Sequence, residues 1–334
     1  MSDALKCGVL VEVKSASEIL ATLDAEGALD ALPFMPEMLQ YCGHRFVVFR
    51  RAEKICDTIK TYGSRRIRAT VLLEDLRCDG SGHDGCQADC RLFWKEAWLR
   101  RIDSMEPLSS TNTNGNTSSS LADILSRFTK QFRDMEGHAI GTYRCQATEL
   151  YRASTPLSVW DPRPYIKEFA CGNVTFGRFL RISARAFIME PLRKFGFIPT
   201  IPLPGTLSVP KPDDALDLQP GDWVKVKKKE EIASTLTPDG RDRGLWVDRE
   251  MLPYCEGTYQ VKQRVKRFID DRTGRMIEFK KECITLKGVV CSGELSLHRY
   301  FCPRGIVPYW REKWLFRVHH ETSESQQMDS KGGQ

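Results

Sequence analysis

The feature that most constrains this chain is an internal repeat. Displacing the sequence by 213 positions lays Gly8-x-x-Val11-x-Val13-Lys14 on Gly221-x-x-Val224-x-Val226-Lys227. Ile19 then meets Ile232, Thr22-Leu23 meets Thr235-Leu236, and Gly27 meets Gly240. Glu37-Met38-Leu39-x-Tyr41-Cys42 falls on Glu250-Met251-Leu252-x-Tyr254-Cys255, and Cys78-x-Gly80 on Cys291-x-Gly293. Roughly twenty of about seventy positions are identical without a gap. After a three-residue insertion, Phe93-Trp94-x-Glu96-x-Trp98-Leu99 faces Tyr309-Trp310-x-Glu312-x-Trp314-Leu315. Two copies of about 100 residues predict two small domains rather than one large fold.

Each copy opens with an alternating segment, Leu10–Lys14 or Trp223–Lys227, which predicts a strand with one buried face. Ser15–Leu23 and Lys228–Leu236 predict one or two helical turns, stopped at Gly27 or at Pro238-Asp-Gly240. Arg45–Arg51 and Thr258–Phe268 are rich in Val, Phe and Tyr. Asp270-Asp-Arg-Thr-Gly274 is a hairpin turn leading to Met276–Lys280 and Cys283–Val290. Short strands and tight turns predict a mainly β chain with an α insert, built as two SH3-like small-barrel repeats.

The organisation predicted is a β-rich repeat over 1–102, a flexible linker over 103–120, a helical insert over 121–198, a linker over 199–220, a second β-rich repeat over 221–318 and a disordered tail over 319–334. The linker holds the polar run Ser109–Ser120. In the insert, Leu121, Ile124, Leu125, Phe128 and Phe132 follow helical spacing. Trp160-Asp-Pro-Arg-Pro164 predicts a turn. Phe176, Phe179, Leu180 and Phe187 share the face of a helix over Phe176–Glu190, which Pro191 should end or kink. No stretch approaches the about 20 apolar residues that span a bilayer. The start, Met1-Ser-Asp-Ala-Leu-Lys6, lacks the layout of a signal peptide. A cytoplasmic protein without a membrane partner is expected.

Twelve cysteines in such a compartment are buried small side chains, metal ligands or reactive thiols rather than a disulfide framework. Cys42 matches Cys255, Cys78 matches Cys291 and Cys86 matches Cys302 across the copies. A histidine, His83 or His298, lies between the last two of each set. Copy one adds Cys90, giving Cys78-x4-His83-x2-Cys86-x3-Cys90 in a glycine-rich loop. Thiolates with an imidazole suit tetrahedral zinc. Copy two offers Cys255, Cys291, His298 and Cys302; copy one offers Cys42, Cys78, His83, Cys86 and Cys90. Inherited core cysteines and thiol redox chemistry are the competing readings. An iron–sulfur cluster needs four thiolates, which copy two does not supply.

Trp94 and Trp98, like Trp310 and Trp314, are four apart. On a helix both indoles would share one face, as a recognition surface or as packing onto the barrel. Copy two carries a net charge of about +7, including Lys262-x-Arg264-x-Lys266-Arg267, a face that permits nucleic-acid contact. No stacking aromatics interleave with that run, so base readout lacks support. No phosphate loop, Gly-x-Ser-x-Gly, His-Glu-x-x-His or dinucleotide fingerprint is present. An enzyme would have to use metal or thiolate chemistry at Cys78–Cys90.

The strings Phe34-Met-Pro-Glu-Met-Leu-x-Tyr-Cys42, Cys78-Asp-Gly-Ser-Gly-His-Asp-Gly-Cys-Gln-Ala-x-Cys90 and Phe93-Trp-Lys-Glu-Ala-Trp-Leu99 resemble a family of uncharacterised bacterial proteins. That family accompanies secondary-metabolite or surface-polysaccharide genes. The resemblance implies a bacterial origin and an accessory role in biosynthesis, and carries no catalytic residue. Together these features predict a metal-stabilised tandem module that binds a protein partner. An enzyme acting through Cys78–Cys90 and a nucleic-acid binder using copy two are the alternatives.

Overall fold

The computed structural model describes residues 4–60, 63–102, 115–131, 141–158, 161–209, 216–296 and 299–318; the side chains of 115–120, 130 and 131 are set aside. The chain forms two compact units. One comprises Met1–Thr200, Lys266–Lys280 and Val290–Val307; the other comprises Ile201–Val265, Lys281–Val289 and Pro308–Gln334. Copy two of the repeat is therefore divided between the units. The fold is mainly β, with two curled half-barrel sheets. Among the described residues, no helix is long and apolar enough to cross a membrane.

The first sheet has five strands, in the order Arg91–Lys95, Thr70–Arg77, Arg45–Arg51, Leu10–Val13 and Leu99–Arg101. Leu10–Val13 alternates as the sequence predicts, with Val11 and Val13 fully buried. Ser15 caps the turn of helix that follows, accepting from Glu18 N–H while Glu18 reaches back to Ser15 N–H. The second sheet has four strands, in the order Met276–Leu286, Thr258–Ile269, Trp223–Val226 and Leu315–Arg317. The two segments predicted over 276–290 are one continuous strand, Met276–Leu286.

Pairing within the two sheets follows the repeat, at an offset of 213 before the three-residue insertion and 216 after it. Leu10 faces Val47, Val11 faces Phe46 and Glu12 faces Arg45. At 213 positions further on, Trp223 faces Gln260, Val224 faces Tyr259 and Lys225 faces Thr258. On the other edge Val13 faces Leu99, and Val226 faces Leu315. Trp98 Nε1 donates to Thr22 Oγ1 at 3.0 Å, and Trp314 Nε1 to Thr235 Oγ1 at 2.9 Å. Glu96 Oε1 accepts from Leu5 N–H at 3.0 Å, and Glu312 Oε1 from Leu218 N–H at 3.0 Å.

The paired tryptophans do not share a helix. Trp94 lies in a strand and Trp98 ends the short 3-10 turn Glu96–Trp98; Trp310 bridges Ile284, and Trp314 ends the turn Glu312–Trp314. The corner between strand and turn aims both indoles inward. All four are fully buried, so they are core and offer no recognition surface.

The intervening segment carries the helices Gly115–Ser126, Arg163–Ala170 and Phe176–Lys194. The first begins within the polar run read as linker. Phe132 lies outside the described residues, as does Trp160. Pro164 sits in the first turn of its helix rather than in a loop, because a fixed φ suits that position. Pro191 lies inside the last helix, which continues to Lys194. Of the expected face, Phe179 packs inward against Phe301 beside the buried Ile182, whereas Phe176, Leu180 and Phe187 are exposed.

Helix Arg163–Ala170 presents the buried Glu168 to Asn173 Nδ2 at 2.6 Å. Asn173 in turn brackets the backbone of Arg51, accepting from its N–H at 2.7 Å and donating to its carbonyl at 3.0 Å. Burial raises the Glu168 carboxyl to about 8, against the lowering effects of Asn173, Lys54 and Arg50.

Trp98→Ala and Trp314→Ala should each cost about 3–5 kcal/mol in urea unfolding, because each leaves a cavity in a filled core and removes the hydrogen bond that a threonine hydroxyl accepts. Glu168 is raised on folding, so the native state keeps a proton that the unfolded chain has lost. Its contribution to stability therefore falls as pH rises from about 4.5 to about 8 and is level above that. Glu168→Gln should flatten this slope, by on the order of 5 kcal/mol across the window; unfolding midpoints at successive pH values measure it.

Candidate metal centre

Strands Thr70–Arg77 and Arg91–Lys95 pair through Arg77 and Arg91, and the loop 78–90 joins them. Cys78 N–H donates to Cys90 carbonyl at 2.8 Å, which closes the loop at its base. Asp79 Oδ1 accepts from Ser81 N–H at 2.9 Å. Gly80 carbonyl accepts from both His83 N–H and Gly85 N–H at 3.0 Å. Gly80 has φ +78°, and a Cβ there would sit 2.0 Å from Cys86 carbonyl oxygen, so only glycine fits. The folded-back loop carries the 3-10 turn Ser81–His83, whose imidazole is turned inward and is 1% exposed.

Under it lies Glu37, buried on the 3-10 helix Pro36–Tyr41. Cys78 Sγ donates to Glu37 Oε1 at 3.1 Å. His83 Nε2 lies 3.8 Å from the same oxygen, too far for a hydrogen bond. Glu37 Oε2, His83 Nδ1 and His83 Nε2 are all buried without a hydrogen-bond partner. Each such atom costs about 1–3 kcal/mol. Among the described residues, Glu37, Cys78 and His83 are the only cysteine, histidine and acidic side chains, three or more together, whose ligand atoms lie within 4.8 Å of one another. One oxygen, one sulfur and one imidazole nitrogen form a borderline donor set that could hold a dication.

No protein family, curated protein or solved structure matches the chain. The site is therefore read from its own chemistry. Burial lowers the basicity of His83, against the opposing pull of Glu37, which favours the neutral ring that ligates metals. Burial, reinforced by the Glu37 carboxylate, drives the Cys78 thiol far up. Burial also raises Cys86, and raises Cys90 to about 11. These thiols are protonated at neutral pH as they stand, which makes them poor nucleophiles; a bound cation would reverse that preference.

The other predicted ligands are placed elsewhere. Cys86 Sγ accepts from Ile269 N–H at 3.3 Å. Cys42 and Cys255 each follow a six-residue 3-10 helix as its C-cap and pack against the core of their own sheet. Cys291 is buried, with Arg299 Nη1 at 3.9 Å. His298 lies outside the described residues. Cys302 is fully involved with Cys56: their sulfurs are 3.4 Å apart, and Cys302 Sγ also accepts from Cys56 N–H at 3.2 Å. Arg304 Nη1 reaches Cys56 carbonyl at 3.1 Å and its sulfur at 3.7 Å. The hydrogen bond from Cys302, aided by Arg304 against the effect of burial, lowers Cys56; burial and Cys56 raise Cys302.

Glu37 and Cys56 are the residues that cysteine matching missed. Glu37 had a visible signal, since it faces Glu250 in the repeat. Cys56 had none, because Ile269 stands opposite it.

The loop geometry separates two glycines with nearly equal φ. Gly85 has φ +76° with open space around its would-be Cβ. Gly85→Ala should cost about 1 kcal/mol, whereas Gly80→Ala should cost well over 2 kcal/mol by denaturant titration.

Proposed function

We propose that this chain is a tandem accessory module, stabilised by a zinc-class cation held by Glu37, Cys78 and His83, that binds a protein partner. The observation that carries the metal is the buried imidazole with neither ring nitrogen partnered, beside a thiol and a half-unpartnered carboxylate. Cys86 and Cys90 belong to the same loop but lie outside the three-residue cluster. The metal acts as a staple on the loop that ties the edge strand Arg91–Lys95 to its neighbour Thr70–Arg77, where a small β domain gains several kcal/mol from coordination. Duplication of one ancestral SH3-like unit is supported by strand pairings that follow the repeat. The accessory role in a bacterial biosynthetic pathway rests on the family resemblance.

Two other readings differ in support. A redox role is favoured at Cys56–Cys302 rather than in the loop, because that pair alone joins close sulfurs to a neighbouring guanidinium. The nucleic-acid reading is weakened because both arginines of its basic run are engaged in ion pairs. Arg264 pairs with Glu282, Glu312 and Asp217, and Arg267 pairs with Glu278.

Metal analysis of the purified full chain tests the proposal. One zinc per chain is expected, lost in His83→Ala and Cys78→Ser and weakened in Glu37→Gln. Cys255→Ser should retain it. A metal-free protein, or a His83→Ala variant with unchanged metal content, would overturn the reading.

A further inference from the structure

A cleft of about 350 Å³, counted with its open mouth, lies within the first unit and is lined by Phe49, Arg50, Arg91, Arg178, Ser292 and Cys302, among others. Three guanidiniums on one small cleft repel one another. Arg178 is compensated: its Nε donates to Glu294 Oε1 at 2.7 Å and its Nη2 to Ser292 carbonyl at 3.2 Å. The other two are not. Arg91 Nε and Nη1 are shut away from water without a hydrogen-bond partner. Its guanidinium carbon lies 4.1 Å from the centroid of the Phe49 ring, and that of Arg50 lies 4.9 Å from the same ring. Stacking on an aromatic face holds the planes without using their hydrogen-bonding edges. Burial, then Arg77, pushes Arg91 down to about 10, and Asp75 and Asp89 act on it only through space. Burial, then Arg178, lowers Arg50, and the acid that opposes this is Glu168, itself raised to about 8.

We propose that this cleft binds a phosphate dianion, free or as the head of a small phosphate monoester, between Arg50 and Arg91. Two guanidiniums without ion-pair partners call for two negative charges. A phosphate monoester carries about −1.5 to −2 at neutral pH, whereas a carboxylate carries one. The guanidinium fork matches two phosphate oxygens at once, and such charge-assisted pairs are the strong ones. Gly305 packs against the Nε edge of Arg91, where a Cβ would stand 3.2 Å from Nε, so the phosphate would meet the remaining Nη2 of Arg91 and the fork of Arg50. Cys302 lines the same cleft, so the organic part of a monoester would lie near the Cys56–Cys302 thiols. This site shares no residue with the proposed metal centre and stands without it.

The test uses the full chain, titrated with inorganic phosphate and with glycerol 3-phosphate at constant ionic strength, by calorimetry and thermal unfolding. Acetate serves as the monoanion control. Phosphate should bind at submillimolar concentration and raise the melting temperature, with acetate inert. Tighter binding of glycerol 3-phosphate identifies a monoester site, and equal binding a site for the free ion. Arg91→Gln and Arg50→Gln should each weaken binding about tenfold or more. Each variant, free of ligand, should melt no lower than the parent, because mutual repulsion is relieved. Unaltered phosphate affinity in both variants, equal stabilisation by acetate, or no phosphate effect on the parent would overturn the proposal. Should either variant melt lower because Phe49 loses a stacking partner, calorimetric titration with phosphate well below that variant's melting temperature carries the test.

Discussion

Four residues, Leu10–Val13, hold the first sheet together. The strand is hydrogen-bonded along both edges, to Arg45–Arg51 on one side and Leu99–Arg101 on the other, and its two valines are fully buried. The metal-loop geometry depends on it indirectly. Glu37 comes from the connection between Leu10–Val13 and Arg45–Arg51, and the Cys78–Cys90 loop joins the next two strands of the sheet. Glu37 is thereby brought within 4.8 Å of Cys78 and His83, which lie about forty residues further along the chain.

The first unit tolerates an unusual number of polar groups in its interior. Lys54 is fully buried and donates to the Tyr300 carbonyl at 2.5 Å. Glu168 is neutralised by burial and tied to Asn173. These two have hydrogen-bond partners. Among the described residues, buried polar atoms without hydrogen-bond partners include those of Glu37 and His83 at the loop and of Arg91 at the cleft, beside others such as Trp94 Nε1 and the second oxygen of Glu168. Buried polar groups without partners are costly and are concentrated where ligands bind. The loop is suited to a cation and the cleft to an anion, so the two assignments rest on opposite signs of the same imbalance.

Much of the fold was legible before any coordinates. The strands Leu10–Val13 and Arg45–Arg51, the hairpin turn at Asp270–Gly274 and the helix beginning at Phe176 fall where alternation, β-branching and turn residues put them. The tryptophan pairs did not, because a spacing of four residues fits a strand-to-turn corner as well as a helix. The site was half legible. Cys78 and His83 were visible as soft ligands near glycines, whereas matching cysteines across the copies drew in Cys42 and Cys255, which are matched because each caps the same 3-10 helix. Cys302 went to an unmatched partner, Cys56, which no comparison between the copies can reveal. The arginine cleft was invisible because its members come from positions 50, 91 and 178, separated by strands and a helix.

Residues 266–280 and 290–307 belong to the unit that begins at the N-terminus. They supply the carbonyl that receives Lys54, the sulfur opposite Cys56 and the backbone N–H groups of Lys266 and Arg267 that bond to Gln87 Oε1. During synthesis, which proceeds from the N-terminus, this unit stays incomplete until the ribosome has passed position 307. Until then a five-stranded sheet waits with a buried lysine and arginines unmatched. The N-terminal half of this protein is thus the first to be made and among the last to close.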